Sequence, residues 1–342
     1  VSKKFRFLST TAAAVLSLAV LGAGAASADT LVGLVTKNNT NPFFVKMKEG
    51  AEAAAKAQGL KFQAYAGKVD GDAGPQIEAI ENLIAAGAKG ILITASNDTV
   101  IPALKKARKA GILVIALDTP IGDPEASDAT FATDNFQAGI LIGQWAKTTM
   151  GDKAASAHIG MLDINKDNIS VDVARDTGFL KGFGIEVPDL KVMGSEKDKR
   201  VIGHEASQAN PEGGVKSVEN LLQKEPGMNV VYTINEPAAE GGFQALKKAG
   251  KDKGVLVVSV DGGCPGVKSV KEGIIGATSM QFPLLMASKG VEAIAAFAKD
   301  GTKPKNSEGL SFYNTGVELI TDHPVPGVKS ITSEEGLKKC WG

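Results

Sequence analysis

One unit recurs along this chain: a short β-branched run, a polar turn, an amphipathic helix, then glycine. Apolar runs at 31–35, 62–66, 90–94 and 114–117 are separated by helical segments. Between the second and third runs, Ile77, Ile80, Leu83 and Ile84 fall on one helical face. Gly59, Gly87, Gly111, Gly250 and Gly273 stand where helices end and can take the left-handed cap. Strands alternating with helices build a parallel sheet with crossover helices. After Asn135 the rhythm restarts, with runs at 158–163, 191–194, 230–233, 255–260 and 274–279 and helices over 171–183 and 211–223. Pro211 suits a first helical position behind an Asn210 cap. The expected fold class is α/β, with two similar lobes. No long Pro/Gly/Ser linker divides them, so short ordered crossings must join them, which suits a hinge.

The first residues follow a different logic. Lys3, Lys4 and Arg6 precede an apolar run over 12–21 and the small-residue ending Ala26-Ser27-Ala28. This reads as a secretory signal over 1–28, with a mature chain beginning near Asp29. A membrane anchor would need about 20 apolar residues. With no cysteine at the cleavage point, the expectation is a soluble periplasmic protein. Lys+Arg and Asp+Glu are both 38, and removing three basic residues leaves 35 − 38 = −3. Such a balance points away from nucleic acid and from membrane surfaces. The two cysteines, Cys264 and Cys340, would then sit in an oxidising compartment. They read as a disulfide holding the C-terminal tail, or alternatively as two buried thiols.

In parallel α/β sheets, ligands bind beyond the carboxyl ends of the strands. The residues just past each run are Lys37, Asn41 and Phe43; Thr94, Ser96, Asn97 and Asp98; Asp118 and Thr119; and Asp134 and Asn135. The second half adds Asp163, Asp172, Arg175, Asn235, Asp261 and Gln281. Carboxylates, amides and an arginine match hydroxyl edges, and a flat aromatic ring matches the C–H face of a sugar. Phe43 therefore reads as a stacking platform, Asn41 as an edge-binding amide, and Pro42 as the residue that sets the turn. The plainer readings are that Asn and Asp favour turns and that Phe43 plugs the gap between sheet and helix.

Absent motifs narrow the function further. There is no phosphate loop, no G-x-S-x-G elbow, and no Cys-x-x-Cys. Gly182-Phe183-Gly184 follows a helix, not a strand, and so is not a dinucleotide loop. His158, His204 and His323 are far apart and lack metal-ligand spacing. No cofactor, metal or catalytic residue is expected. A carboxylate pair such as Asp118 and Asp261 could serve a glycosidase, but among asparagines it better grips hydroxyls.

The stretches "TNPFFVKMKEGA", "VIALDTP", "ATDN", "TINEPAA" and "VSVDGG" resemble the ribose-type (type I) periplasmic sugar-binding proteins of ABC importers. Within that family, "FFVKMKEGA", "ATFATDN", "SVDVARDTGF", "SVDGGCPGVK" and the final "KCWG" are most similar to the fructose-binding proteins of alpha-proteobacterial importers. The resemblance implies a Venus-flytrap: two Rossmann-like lobes joined by three crossings. The first lobe would comprise 29–134 with 282–308, the second 135–281 with 309–342. It implies a monomer that is not an enzyme, carrying one monosaccharide, D-fructose first, to an inner-membrane ABC permease. A ribose-, mannose- or polyol-binding relative, or a receptor feeding chemotaxis, would share the same pocket. A repressor would need a helix-turn-helix in place of the leader. By matching motifs, Asn41, Phe43 and Phe44 supply an amide and two aromatics. Asp118, Arg175, Asn235, Asp261 and Gln281 supply the gripping groups. The pattern departs from ribose binders at Thr119, where they carry arginine, and at Lys37, where they carry serine. It departs again at Val260 and near Ala209 and Asn210, where they carry aromatics. These departures weigh against ribose itself and leave room for a bulkier or differently puckered sugar.

Overall fold

The computed structural model describes Val1 and residues 29–342. The expected export signal over 1–28 thus lies, Val1 apart, outside the described residues. No helix among the described residues is long and apolar enough to cross a membrane.

Among the described residues two six-stranded sheets form, one in each lobe. The first holds β1 (Leu31–Thr36), β2 (Lys61–Ala66), β3 (Gly90–Ile93), β4 (Leu113–Leu117), β5 (Ala129–Ala132) and β11 (Tyr313–Asn314), in the order β2-β1-β3-β4-β5-β11. The second holds β6 (Ile159–Asp163), β7 (Val201–Ala206), β8 (Val230–Thr233), β9 (Leu256–Asp261), β10 (Ala277–Met280) and β12 (Glu318–Ile320), in the order β7-β6-β8-β9-β10-β12. The five leading strands of each sheet run parallel and follow the same order, so the lobes are copies of one doubly wound plan. β11 joins the first sheet in parallel and β12 the second antiparallel. Strands such as β1, β3 and β4 are buried along their whole length, because helices cover both faces.

The helices of the first lobe are α1 (Pro42–Ala57), α2 (Gly74–Ala85), α3 (Ile101–Lys109) and α9 (Pro283–Asp300); α1 and α9 share one face of its sheet, α2 and α3 the other. In the second lobe α4 (Asn135–Met150) and α5 (Ser170–Phe183) cover one face. The opposite face is covered by α6 (Pro211–Lys224), α7 (Glu236–Lys248) and α8 (Cys264–Lys271). Each of α4 and α5 carries a pair of glycines four residues apart where the two helices cross. A Cβ on Gly139 would stand 2.1 Å from the Arg175 carbonyl, and one on Gly178 2.3 Å from that of Phe136. Only glycine permits this backbone approach.

The chain passes between lobes at 133–134, at 281–282 and at 315–317. Two boundaries differ from expectation. Tyr313–Asn314 pairs with Phe131 and Ala132, so 309–314 stays with the first lobe instead of opening the second. The run at 191–194 is a turn, and the strand beside β6 is Val201–Ala206. Residues 191–194 include Lys191 and a positive-φ Gly194, whereas "VIGHEA" is half-buried along its whole length, as suits a strand at the sheet's edge. Strands β11 and β12, of two and three residues, are too short to stand out by pattern.

Candidate functional site

Both sheets reverse their winding direction between the first and third strands, β1/β3 in one lobe and β6/β8 in the other, and the strand tips face each other there. This is the place where doubly wound sheets hold ligands. One small cavity of about 30 Å³ lies between the lobes. The first lobe supplies Lys37, Asn41, Phe43, Phe44, Asp70 and Asp118. The second supplies Arg175, Asn235 and Asp261 with Ile164, Val171, Ala209 and Ile234, and Gln281 comes from a crossing.

Of the residues singled out by sequence, Ser96, Asn97, Asp98, Thr119, Asp134, Asp163 and Asp172 do not line this cavity, nor do Thr94 and Asn135, which stand behind residues that do. The Thr94 hydroxyl accepts from the Lys37 backbone N–H at 3.1 Å, and Asn135 Oδ1 accepts from Arg175 Nε at 2.7 Å. Two of the lining asparagines also cap helices. Asn41 Oδ1 accepts from the Phe43 N–H at 2.9 Å. Asn235 accepts from the Ala238 N–H and donates to the Ala209 carbonyl, so both ends of its amide are engaged within the protein. Phe43 is only 3% exposed and meets Phe44 and Trp341 edge to face, each with ring centroids 5.5 Å apart. It is core and cavity wall at once.

Asp70 is not among the residues singled out by sequence, although it too stands past a strand tip, in "KVDGD" after the second strand. Ile164, Val171, Ala209 and Ile234 carry no polar signal and belong to the site only through tertiary position.

Arg175 lies at the centre. Its Nη2 is 3.7 Å from Asp118 Oδ1 and its Nη1 3.9 Å from Asp261 Oδ1, while Nη1 also donates to the Ile234 carbonyl at 3.1 Å. Gln281 Nε2 donates to Asp261 Oδ1 at 2.9 Å. Lys37 Nζ is 3.9 Å from Asp70 Oδ1. Burial pushes Asp70 above the usual carboxylate range against the pull of Lys37. Burial also pushes Asp261 up to about 7, opposed by Arg175 and Gln281. Two cations and three carboxylates, two of them shifted toward the neutral form, leave the cavity close to uncharged. Three buried acceptors of residues lining this cavity have no hydrogen-bond partner among the described residues: Asp70 Oδ1, Asp118 Oδ1 and Gln281 Oε1. Buried polar atoms are normally paired, so these call for donors from a ligand. Asp118 and Asp261 also hold strained backbone, with φ of 62° and 149°.

A larger cavity of about 670 Å³ adjoins this one and shares Asn41, Asp70, Ala209 and Asp261 with it. It runs between the lobes past Lys68, Gln208, Phe243 and Trp341. The tail that carries Trp341 is held by a disulfide between Cys264 and Cys340, with Cα atoms 5.0 Å apart. Trp341 Nε1 donates to the Gln281 carbonyl at 2.8 Å, and the Cys264 N–H donates to the Trp341 carbonyl at 2.7 Å.

Comparison with known proteins agrees with this geometry. Residues 32–303 match the periplasmic binding protein domain family. The ribose import binding protein of Escherichia coli is 30% identical over 288 residues, covering 83% of this chain and 90% of that protein. The D-allose-binding periplasmic protein of the same organism is 28% identical, covering 78% and 84%. Among solved structures, a periplasmic solute binding protein of an ABC transporter from Actinobacillus succinogenes, with bound D-allose, superposes with a TM-score of 0.73 at 22% identity. It covers 91% of this chain and 100% of that one.

Proposed function

This chain belongs to the periplasmic binding protein family, of the ribose-binding type, and from that premise we propose that it captures one neutral monosaccharide and delivers it to an ABC importer. The observation that carries the ligand class is the set of unpartnered acceptors on Asp70, Asp118 and Gln281 around a cavity whose charges nearly cancel. A sugar supplies hydroxyl donors without adding charge, whereas a phosphorylated or acidic sugar would add charge that nothing balances. Arg175 and Lys37 donate in turn to sugar oxygens. Phe43 and Phe44 face the C–H edge of the ring.

The cavity has room for about one water-sized body, so a sugar enters only when the lobes part. The three crossings are the hinge, and the larger adjoining cavity is the way in. Contacts that differ between parted and closed lobes drive closure. Arg175 makes them, because it belongs to the second lobe and Asp118 to the first.

D-fructose is the ligand we place first, from the motif resemblance and from the departures at Thr119, Lys37 and Val260. Thr119 donates its hydroxyl to Asp118 Oδ2 at 2.9 Å, which occupies one oxygen of that carboxylate from within the protein. D-ribose is the second reading, supported by the 30% identity to ribose import binding proteins. Thermal-shift and calorimetric titration of the purified chain against fructose, ribose, allose, mannose and myo-inositol decides between them. Micromolar or tighter binding of one sugar is expected. Indifference to every monosaccharide would overturn the reading.

A further inference from the structure

Behind the sugar cavity the second lobe buries a group of ionisable side chains for which sugar binding has no use. Asp163 ends β6, Asp172 and Asp176 lie one turn apart on α5, and His204 projects from β7. His204 Nδ1 is 2.9 Å from Asp163 Oδ2 and 3.7 Å from Asp176 Oδ2. Its other nitrogen, Nε2, is 2.9 Å from Glu196 Oε1. One donor atom from each of Asp163, Asp176 and His204 lies within 4.8 Å of the others.

Neither oxygen of Asp176 has a hydrogen-bond partner among the described residues, although the residue is fully buried. Asp163 Oδ1, Asp172 Oδ1 and the hydroxyl of fully buried Tyr232 are also unpartnered. Three carboxylates, Asp163, Asp176 and Glu196, thus face one imidazole in a place where unpaired charge is strongly disfavoured.

We propose that Asp163, Asp176 and His204 bind a divalent first-row transition metal ion. Two carboxylates and an imidazole, with no thiolate, suit zinc, manganese or cobalt. Donors bound at roughly 2.0–2.2 Å to one ion lie about 3–4.4 Å apart, and the distances from His204 Nδ1 to Asp163 and Asp176, 2.9 and 3.7 Å, are close to that spacing. His204 Nδ1 is the ligand, and Glu196 accepts from Nε2–H, the outer carboxylate that fixes the tautomer and strengthens the nitrogen as a donor. Burial and Asp163 hold Asp172 and Asp176 well above the ordinary carboxylate range. The carboxylates outweigh burial and push His204 up to about 11. Entry of the ion is from the His204 side, since that side chain keeps 21% exposure. Sequence spacing hides the site, because its ligands come from two strands and a helix that meet only in the fold.

The test uses the mature chain, stripped with EDTA and titrated at pH 7.5 with Zn²⁺, Mn²⁺ and Co²⁺. Calorimetry and metal analysis after desalting give affinity and stoichiometry. One equivalent of Zn²⁺ or Co²⁺ per chain at micromolar affinity or tighter is expected, with ligand-field bands for Co²⁺. Asp176→Asn should weaken binding at least a hundredfold, and Glu196→Gln about ten- to a hundredfold. Failure of the unaltered protein to retain any of the three ions would overturn the site. So would stoichiometric binding unchanged in Asp176→Asn, which would place the ion elsewhere. No sugar is present in these titrations, so their outcome leaves the sugar reading untouched.

Discussion

Asp118 and Asp261 hold the same position in the two lobes, each at the tip of the fourth strand in its sheet, and they flank Arg175 from opposite sides at 3.7 and 3.9 Å. Both take a positive φ that a non-glycine residue rarely adopts. The pseudo-twofold repetition of the fold thus aims two strained carboxylates at one guanidinium.

If that arrangement grips hydroxyls, Asp118→Asn keeps the shape and removes the charge. Sugar affinity should fall by about 1.5–3 kcal/mol, the range of a hydrogen bond to a charged group. Arg175→Met should also lower the melting temperature, since it leaves two buried carboxylates without their cation. Calorimetric titration of both variants checks this; unchanged affinity in Asp118→Asn would place the sugar elsewhere.

The raised Asp261 sets a pH dependence. Its folded value of about 7 stands above the 3.8 of a free aspartate, so the folded protein holds a proton across that window. The stability this confers is fully present below about pH 4 and is lost as pH rises through about 7. Asp261→Asn lacks the term. Its melting temperature relative to the parent should therefore climb between pH 4 and pH 8, and a gap that stays constant would show that Asp261 is ionised throughout.

Trp341→Ala removes the ring that meets Phe43 edge to face and the indole N–H that bonds the Gln281 carbonyl. A loss of about 3–5 kcal/mol, typical of truncating a buried aromatic, should appear in denaturant unfolding. Phe43→Ala should lose a similar amount and weaken sugar binding as well, because Phe43 alone of the pair lines the small cavity.

Cys264 and Cys340 are 76 residues apart. Cutting a loop of that length out of the constraints on the unfolded chain removes about 4 kcal/mol in the chain-entropy model. The double serine variant should melt several degrees lower. Non-reducing mass analysis of the parent should show no free thiol.

Gly139→Ala tests whether helix contact positions the site. The added methyl would meet the Arg175 carbonyl at 2.1 Å, so α4 and α5 must move apart. A loss of about 1–3 kcal/mol is expected. Weaker sugar binding should accompany it, although no residue lining the cavity has changed.

Much of this site was legible in the chain because the tip of a parallel strand is a position that local pattern reveals. Lys37, Asn41, Asp118, Arg175, Asn235, Asp261 and Gln281 were all found from their order after strands and from motif resemblance, and all line one cavity. Thr94 and Asn135 satisfied the same rule yet turned their hydrogen bonds to Lys37 and Arg175. A rule about strand ends cannot tell a group that faces the cleft from one that braces its neighbour. The double role of Phe43 was hidden likewise, since its partner Trp341 lies nearly three hundred residues away.

What this sequence determined alone was its alternation: β-branched runs, capped helices and glycine stops compel parallel sheets, and two rounds of them compel two lobes with polar tips. That follows from local sterics and periodicity. Only the tertiary structure decided which tips meet, that Arg175 stands between two equivalent carboxylates, and that Asp163, Asp176 and His204 share one buried point. Those depend on how separate strands and helices are brought together, and packing distances of a few ångströms are not written in the spacing of residues along a chain.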